Sequence, residues 1–398
     1  MPKQKELSDT LRGEGRHRPP TGDGGLLFSL TPGATVISPD RQHSLTFDRE
    51  GRLHLYFRRG ATYKRGLASD LHLRFRDHGR QRRLLSAEEA GSIFAEAYQQ
   101  AREIGSRVDG ELEARLSEEV LRWTPESLAA ERQRFLSCYR PIAILPPDQY
   151  LSIVLQATQG CSWNRCTFCN FYMDRPFRPK STVEFRHHVE GVKDLLGEGV
   201  KLRRGIFLAD GNALALSLNR LEPMISIAKE IFPERSLFGF VDLFSGERHP
   251  VDHWRLLGQL GLRRVCVGME TGSDELLGLV NKPGSAAELS AFVGDLKRAS
   301  LSVCLIVIVG LGGREYRSEH SRASIEVLES LPLDETDLVY LSPLVTQPGT
   351  TNYLSRAGDT PLTPMSEDEI EAELQQMATR IRGFGVKTSR YDIREFIY

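Results

Sequence analysis

The sequence has no surplus of charge of either sign: 52 Lys and Arg stand against 53 Asp and Glu, a formal net charge of -1 over 398 residues. That balance argues against a protein that binds nucleic acid mainly through its electrostatic field. No run approaches the roughly 18 consecutive apolar residues of a membrane-spanning helix. The opening Met1-Pro2-Lys3-Gln4-Lys5 lacks the apolar core of a signal peptide. Cysteines number only six, three of them on one short stretch, which fits a reducing compartment better than a disulfide framework. The expectation from these absences is a cytoplasmic protein with no membrane or nucleic-acid partner. Apolar residues make up 40%, enough for a sizeable core, and the length allows one large domain with an appendage, or two domains.

What is present centres on Cys161-Ser-Trp-Asn-Arg-Cys166-Thr-Phe-Cys169, just after an apolar run at 151–157 and Gly160. Three thiols are an odd number, so they do not pair among themselves. A structural zinc site needs a fourth ligand, and the nearest candidates, His187 and His188, lie beyond a Pro-rich segment. Three thiolates on one loop suit an iron–sulfur cluster with one iron left open to a non-protein ligand. A zinc knuckle, or three buried thiols, remains the alternative.

Along the chain, residues 1–30 are rich in Gly, Pro and Arg and are expected to be a flexible tail. Residues 31–145 read as an α+β accessory module. In it, 43–47 and 53–57 flank Asp48-Arg-Glu-Gly51 as a β-hairpin, and 71–75 adds a strand. Ser86-Ala-Glu-Glu89 is a capping box for a helix to about 102, followed by helices near 109–121 and 125–138, the last carrying Cys138 on its apolar face. The basic run 74–83 reads as a solvated face. Residues 146–350 then alternate: strands near 151–157, 204–209, 237–243, 264–268, 303–310 and 338–345, with helices near 182–197, 217–231, 250–260, 273–280, 285–299 and 317–330. Apolar strands alternating with helices imply a parallel sheet covered on both faces. Residues 351–398 form a C-terminal extension expected to cover or close this unit.

The cysteine loop after the first strand of such a repeat resembles the radical S-adenosylmethionine (SAM) superfamily. The resemblance implies an α/β fold, a partial (β/α)6 barrel carrying the small N-terminal α+β module. It also implies that Cys161, Cys166 and Cys169 hold a 4Fe–4S cluster whose fourth iron is chelated by SAM. The spacing departs from the family's usual C-x3-C-x2-C by one residue. Phe168 matches the aromatic position beside the SAM adenine. Ligands of parallel barrels gather at the C-terminal strand ends, where the remaining motifs fall. Asp210-Gly211-Asn212 takes the place of the Gly-Gly-Glu-type sequence that binds the SAM amino group, small residues permitting close approach. Glu270, in Gly268-Met-Glu270-Thr-Gly-Ser273, occupies the polar position near SAM, whereas Ser273 and Glu275 read as helix-capping groups. Asn281-Lys282-Pro-Gly284 reads as a turn. Gly310 and Gly312 let the fifth strand approach the adenine, and Leu344-Val-Thr-Gln-Pro348-Gly-Thr350 ends the sixth. Arg175, Arg178 and Lys180 suit either an acid partner or a solvated connector. Cys266 and Cys304 read as buried core.

The implied reaction is reductive cleavage of SAM to a 5′-deoxyadenosyl radical, with flavodoxin or ferredoxin as electron donor and a small molecule as substrate. Two other readings stand beside it: a radical 3-amino-3-carboxypropyl transferase that breaks another C–S bond of SAM, and a non-catalytic zinc-binding protein. No second cysteine set is present for auxiliary clusters.

Overall fold

A computed structural model of the chain describes residues 16–17, 26–77, 80–345 and 362–398. The chain divides into two compact units. One comprises the residues up to Tyr139 with Gly191–Arg203 and Ile397–Tyr398, and the other Arg140–Glu190 with Arg204–Phe396.

The first unit is built on an eight-stranded antiparallel meander in sequence order: β1 (Arg16–His17), β2 (Leu27–Leu30), β3 (Ala34–Ser38), β4 (His43–Asp48), β5 (Leu53–Arg58), β6 (Ala61–Arg65), β7 (Leu71–Arg76) and β8 (Arg80–Leu84). The hairpin expected at 43–57 is present. Its turn is held by Asp48 Oδ1, which accepts from the backbone N–H of Glu50 and of Arg52, both at 2.9 Å. Gly51 has φ 81°, and a side chain there would collide with the backbone of Glu119. Leu45 and Phe47 follow the two-residue period of a strand, a register shift at Thr46–Phe47 brings Tyr56 and Leu53 opposite them, and all four are fully buried. Helix α1 (Ala87–Gly105) closes over them with the predicted Ser86–Glu89 capping box, burying Phe94, Ala97 and Tyr98 in the same core. The Tyr98 hydroxyl donates to Gly51 O and accepts from Leu53 N–H, both at 2.9 Å, which ties helix to hairpin. Next come α2 (Gly110–Arg115), a π-turn over Leu116–Val120, and α3 (Pro125–Cys138), capped by Thr124. Cys138 Sγ donates to Gly191 O at 3.3 Å.

Two expectations change here. Arg16–His17 and Leu27–Leu30 are paired strands rather than flexible tail, because Leu26, Phe28 and Leu30 pack against the core of this unit. Strands 34–38, 61–65 and 80–84 also join the sheet. The remainder of 1–25, part of the basic run at 78–79, and the turn expected at 346–350 lie outside the described residues.

The second unit winds β and α alternately: β9 (Ile153–Gln156), α4 (Thr182–Leu196, whose residues from Gly191 on belong to the first unit), β10 (Ile206–Ala209), α5 (Leu218–Ile231), β11 (Leu237–Val241), α6 (Val251–Gln259), β12 (Leu262–Glu270), α7 (Asp274–Leu279), α8 (Ala286–Arg298), β13 (Ser302–Val309), α9 (Arg317–Ser330), β14 (Leu338–Pro343), α10 (Glu367–Gly383) and β15 (Lys387–Arg390). All neighbours are parallel and in sequence order, the topology of the expected partial barrel. Strands β9 and β10 are buried at every position, as a sheet covered on both faces requires. The sheet has seven strands where six were expected. The seventh, β15, comes from the C-terminal segment and pairs Leu338–Leu341 with Lys387–Arg390. Its sequence Lys-Thr-Ser-Arg carries no apolar signal, in keeping with a polar edge strand. Among the described residues no helix is long and apolar enough to cross a membrane.

Candidate functional site

The cysteine loop leaves β9 and is pinched at its base by a two-residue antiparallel ladder, Thr158–Gln159 with Arg178–Pro179. Gly160 enters the loop at φ 75°, and a Cβ there would press on Pro176 O at 2.9 Å. Inside the loop, Asn164 (φ 50°) donates from Nδ2 to Tyr172 O at 2.9 Å, and Cys169 N–H donates to Cys166 O at 3.2 Å. From outside, a turn beyond β12 clasps it. Thr167 N–H donates to Val280 O (3.0 Å), the Trp163 indole to Asn281 O (2.8 Å), and Asn281 Nδ2 to Arg165 O (3.0 Å).

All three cysteines of the loop are free and half-buried. Burial pushes the Cys166 thiol up to about 12, against the pull of Lys282, and the Cys169 thiol up to about 11. Buried thiols of this kind ionise when a metal supplies the missing positive charge. Among the described residues no three His, Cys, Asp or Glu side chains surround a single ion position. The single-zinc reading asks for four ligands on one ion. A cubane takes each thiolate on a separate iron, so the donor set fits that group. His188 is committed elsewhere, its Nε2 accepting from Gln156 N–H at 2.9 Å.

At the end of β10, Asp210 is 2% exposed, and burial pushes its carboxyl up to about 6, opposed by Arg175, the Gly160 N–H, Lys180 and Tyr172. Arg175 lies with Nε 3.8 Å from Asp210 Oδ2, stacks its guanidinium over Tyr172, and donates from Nη2 to Pro141 O at 2.8 Å. Asp210 Oδ2 and Arg175 Nε and Nη1 are buried without a hydrogen-bond partner. A carboxylate and a guanidinium left open side by side match the two charged ends of an amino acid moiety. Lys180, whose ammonium burial lowers to about 8, donates to Gln156 O at 2.5 Å. Arg178 is paired with Glu184 at the surface. Gly211 is required by packing, since a Cβ would meet the Tyr172 ring at 2.7 Å.

Asn212 is fully buried, and its side chain is consumed inside the protein. Its Nδ2 donates to Ser162 Oγ (2.6 Å), to Ser245 Oγ (3.1 Å) and to the Asp242 carboxylate, while its Oδ1 accepts from Asp242 N–H at 2.9 Å. Ser162 Oγ also donates to Asp242 Oδ2 at 2.9 Å. Asn212 is expected from the sequence among the cofactor contacts; its side chain anchors the cysteine loop through Ser162. Asp242, at the end of β11, was missed. It caps the turn Leu243–Gly246 by accepting from Ser245 N–H, and Asp-x-x-Ser was the available signal.

Glu270 ends β12 at φ 60°, where the register with β13 slips between Gly268 and Glu270. It is 7% exposed and accepts from Lys282 Nζ at 3.0 Å. Burial works against the Lys282 charge, yet Glu270 and Cys166 hold its ammonium above the ordinary value. The sequence reading saw only a turn at Lys282. Ser273 caps α7 as expected, whereas Glu275 accepts from the Tyr316 hydroxyl at 2.6 Å. Phe168 packs against the cluster of Leu276, Val280, Leu311 and Leu362. That brings it to the Gly310–Gly312 turn, whose glycines have φ 96° and 84°. A Cβ at Gly312 would meet Tyr316 Cβ at 2.7 Å, so this glycine also serves packing. Cys266 and Cys304 face each other in register on β12 and β13, buried as read.

The family profile described as Radical SAM superfamily matches residues 155–321, the span that carries every group above except Arg140–Pro141 and β14 onward. Comparison with curated proteins gave no match. Among solved structures, coproporphyrinogen III oxidase from Escherichia coli is similar at 15% identity and a TM-score of 0.45, over 64% of this chain and 55% of that one. Methylornithine synthase is similar at 15% identity and a TM-score of 0.40, over 60% and 70%. The radical SAM methyltransferase TsrM from Kitasatospora setae, with cobalamin and a [4Fe-4S] cluster bound, is similar at 16% identity and a TM-score of 0.37, over 51% and 38%. This chain thus spans about half the length of the first of these enzymes.

Proposed function

We propose, from the premise that residues 155–321 are a radical SAM domain and the chain a radical SAM enzyme, that Cys161, Cys166 and Cys169 hold its 4Fe–4S cluster and the surrounding strand ends hold SAM. With cluster and SAM bound there, the chemistry supplied would be a one-electron reductive cleavage of SAM to methionine and a 5′-deoxyadenosyl radical able to abstract a substrate hydrogen. The chain's own residues bind and orient. The Asp210 carboxylate accepts from an ammonium, and the free Nε and Nη1 of Arg175 donate to a carboxylate. Glu270 accepts from hydroxyls or an ammonium at the end of β12. Phe168 and the Gly310–Gly312 turn flank a flat ring. Burial of Asp210, Asn212 and Glu270 excludes water from the region where a radical must survive. The electron comes from flavodoxin or ferredoxin, and the substrate is a small molecule.

The observation that carries this reading is the loop of three free, half-buried thiols, fixed on one side by Asp242 and on the other by the Val280–Asn281 turn. The test is anaerobic reconstitution with iron and sulfide, reduction, and analysis of products from SAM. Release of 5′-deoxyadenosine by the native chain, and none by Cys166→Ala, is the expected result. Methylthioadenosine in its place points to aminocarboxypropyl transfer. Zinc without iron or sulfide removes any role for SAM.

A further inference from the structure

Lys282 is delivered to the cysteine loop by the most heavily bonded contact that loop makes. Its neighbours Val280 and Asn281 take part in all three hydrogen bonds of the clasp. Asn281 sits at φ 54° and Gly284 at φ 110°, a tight turn that Asn and Gly tolerate best. The Lys282 side chain is only 13% exposed and ends 3.0 Å from Glu270 Oε1. Glu270, at the end of β12, is held in the left-handed region beside a register slip. A Cβ at Gly268 would collide with Glu270 Oε1 and come within 3.2 Å of Lys282 Nζ. Backbone in that region persists in a bulky residue only where the surroundings over-determine it.

Stability does not account for such a pair, because a buried ion pair commonly does no better than apolar residues of equal volume. Its field, however, falls on the loop: Cys166 interacts electrostatically with both Lys282 and Glu270, and Cys169 does too. The potential of an iron–sulfur cluster is set by nearby charge, hydrogen bonding and solvent exposure.

We infer that Lys282 and Glu270 form a built-in charge pair that tunes how readily the cluster on Cys161, Cys166 and Cys169 accepts its electron, Lys282 favouring reduction and Glu270 opposing it. Lys282 is thereby a positioning residue, acting on the cluster and through Glu270. The inference rests on the cluster assignment proposed above. The step is a one-electron reduction, the electron coming from an external reductant such as dithionite.

The test is an EPR-monitored redox titration of reconstituted protein without SAM, alongside iron and sulfide analysis. Lys282→Met is expected to lower the ratio of reduced to oxidised cluster at a fixed potential about tenfold, a midpoint about 59 mV more negative for a one-electron couple. Lys282→Arg stays within about a factor of two, and Glu270→Gln moves the midpoint the opposite way. Unchanged midpoints in Lys282→Met and Glu270→Gln, at native iron and sulfide content, overturn the inference and leave the cluster assignment standing. Should Lys282→Met fail to hold a cluster, Glu270→Gln decides by its sign alone. Native protein that loads no cluster overturns both readings.

Discussion

Two arginines, one in each unit, are both buried, and their surroundings differ. Arg52, in the N-terminal unit, is 1% exposed and has every nitrogen engaged. Its Nε donates to Asp48 (3.0 Å), Nη1 to Glu131 (2.8 Å) and Leu195 O (2.8 Å), and Nη2 to Leu196 O (2.7 Å). Arg175, in the β/α unit, has a side chain 9% exposed, yet Nε and Nη1 have no hydrogen-bond partner. A buried donor left open costs about 1–3 kcal/mol, so most such valences in a fold are closed. Arg52 joins a hairpin, α3 and the carbonyls of Leu195 and Leu196, and nothing remains for a ligand to take. Arg175 and Asp210 carry that cost side by side at a strand end. Single open valences occur elsewhere, as at Arg65 Nε and Arg264 Nε; what sets this strand end apart is a carboxylate and a guanidinium left open side by side, and local rules broken together mark the working part of a molecule.

Substitution tests the contrast most severely at Arg52. Arg52→Met strands Asp48 and Glu131 as buried charges and is expected to destabilise its unit by about 3–5 kcal/mol, read by denaturant unfolding; a loss below 1 kcal/mol would mean the pair is solvated. The next effect is one of pH. The Asp210 carboxyl sits at about 6 in the folded chain against an ordinary 3.8, so its protonated form favours folding. That contribution is fully present below 3.8 and is lost as pH rises through 6, on the order of 3 kcal/mol. Asp210→Asn should flatten that segment of the stability-versus-pH curve, and an unchanged slope would place the carboxyl in water. Arg175→Met should move stability by under about 1 kcal/mol, since few bonds are lost, while weakening SAM about tenfold by equilibrium binding. The reverse pattern, lost stability and native affinity, would make Arg175 a second Arg52. The smallest effect is expected from Ser162→Ala, about 1 kcal/mol in thermal unfolding, because Asn212 still holds Asp242.

The barrel strands were legible because each is a short apolar run buried on both sides, and the cysteines because their spacing carries chemistry. Strand β15 was not legible, since an edge strand of Lys, Thr, Ser and Arg buries little and takes its identity from pairing with β14. The strand at 61–65 was obscured in the same way by half-buried polar positions. At the site, Asp210, Glu270 and Asn212 stood out as polar residues at strand ends. What each does depends on partners distant in sequence: Asn212 on Ser162 and Asp242, Glu270 on Lys282, Asp210 on Arg175. No local pattern encodes those meetings.

The clasp on the cysteine loop has a consequence for the order in which the protein matures. Trp163 and Asn281 are 118 positions apart, and Asp242 reaches Ser162 across 80. Closing such distances carries an entropy cost that grows with the logarithm of the separation, recovered only once β10 to β12 are in place. The three thiols therefore acquire a fixed geometry late, after most of the sheet has formed. On the cluster assignment proposed above, metal loading is a finishing event of folding rather than its nucleus.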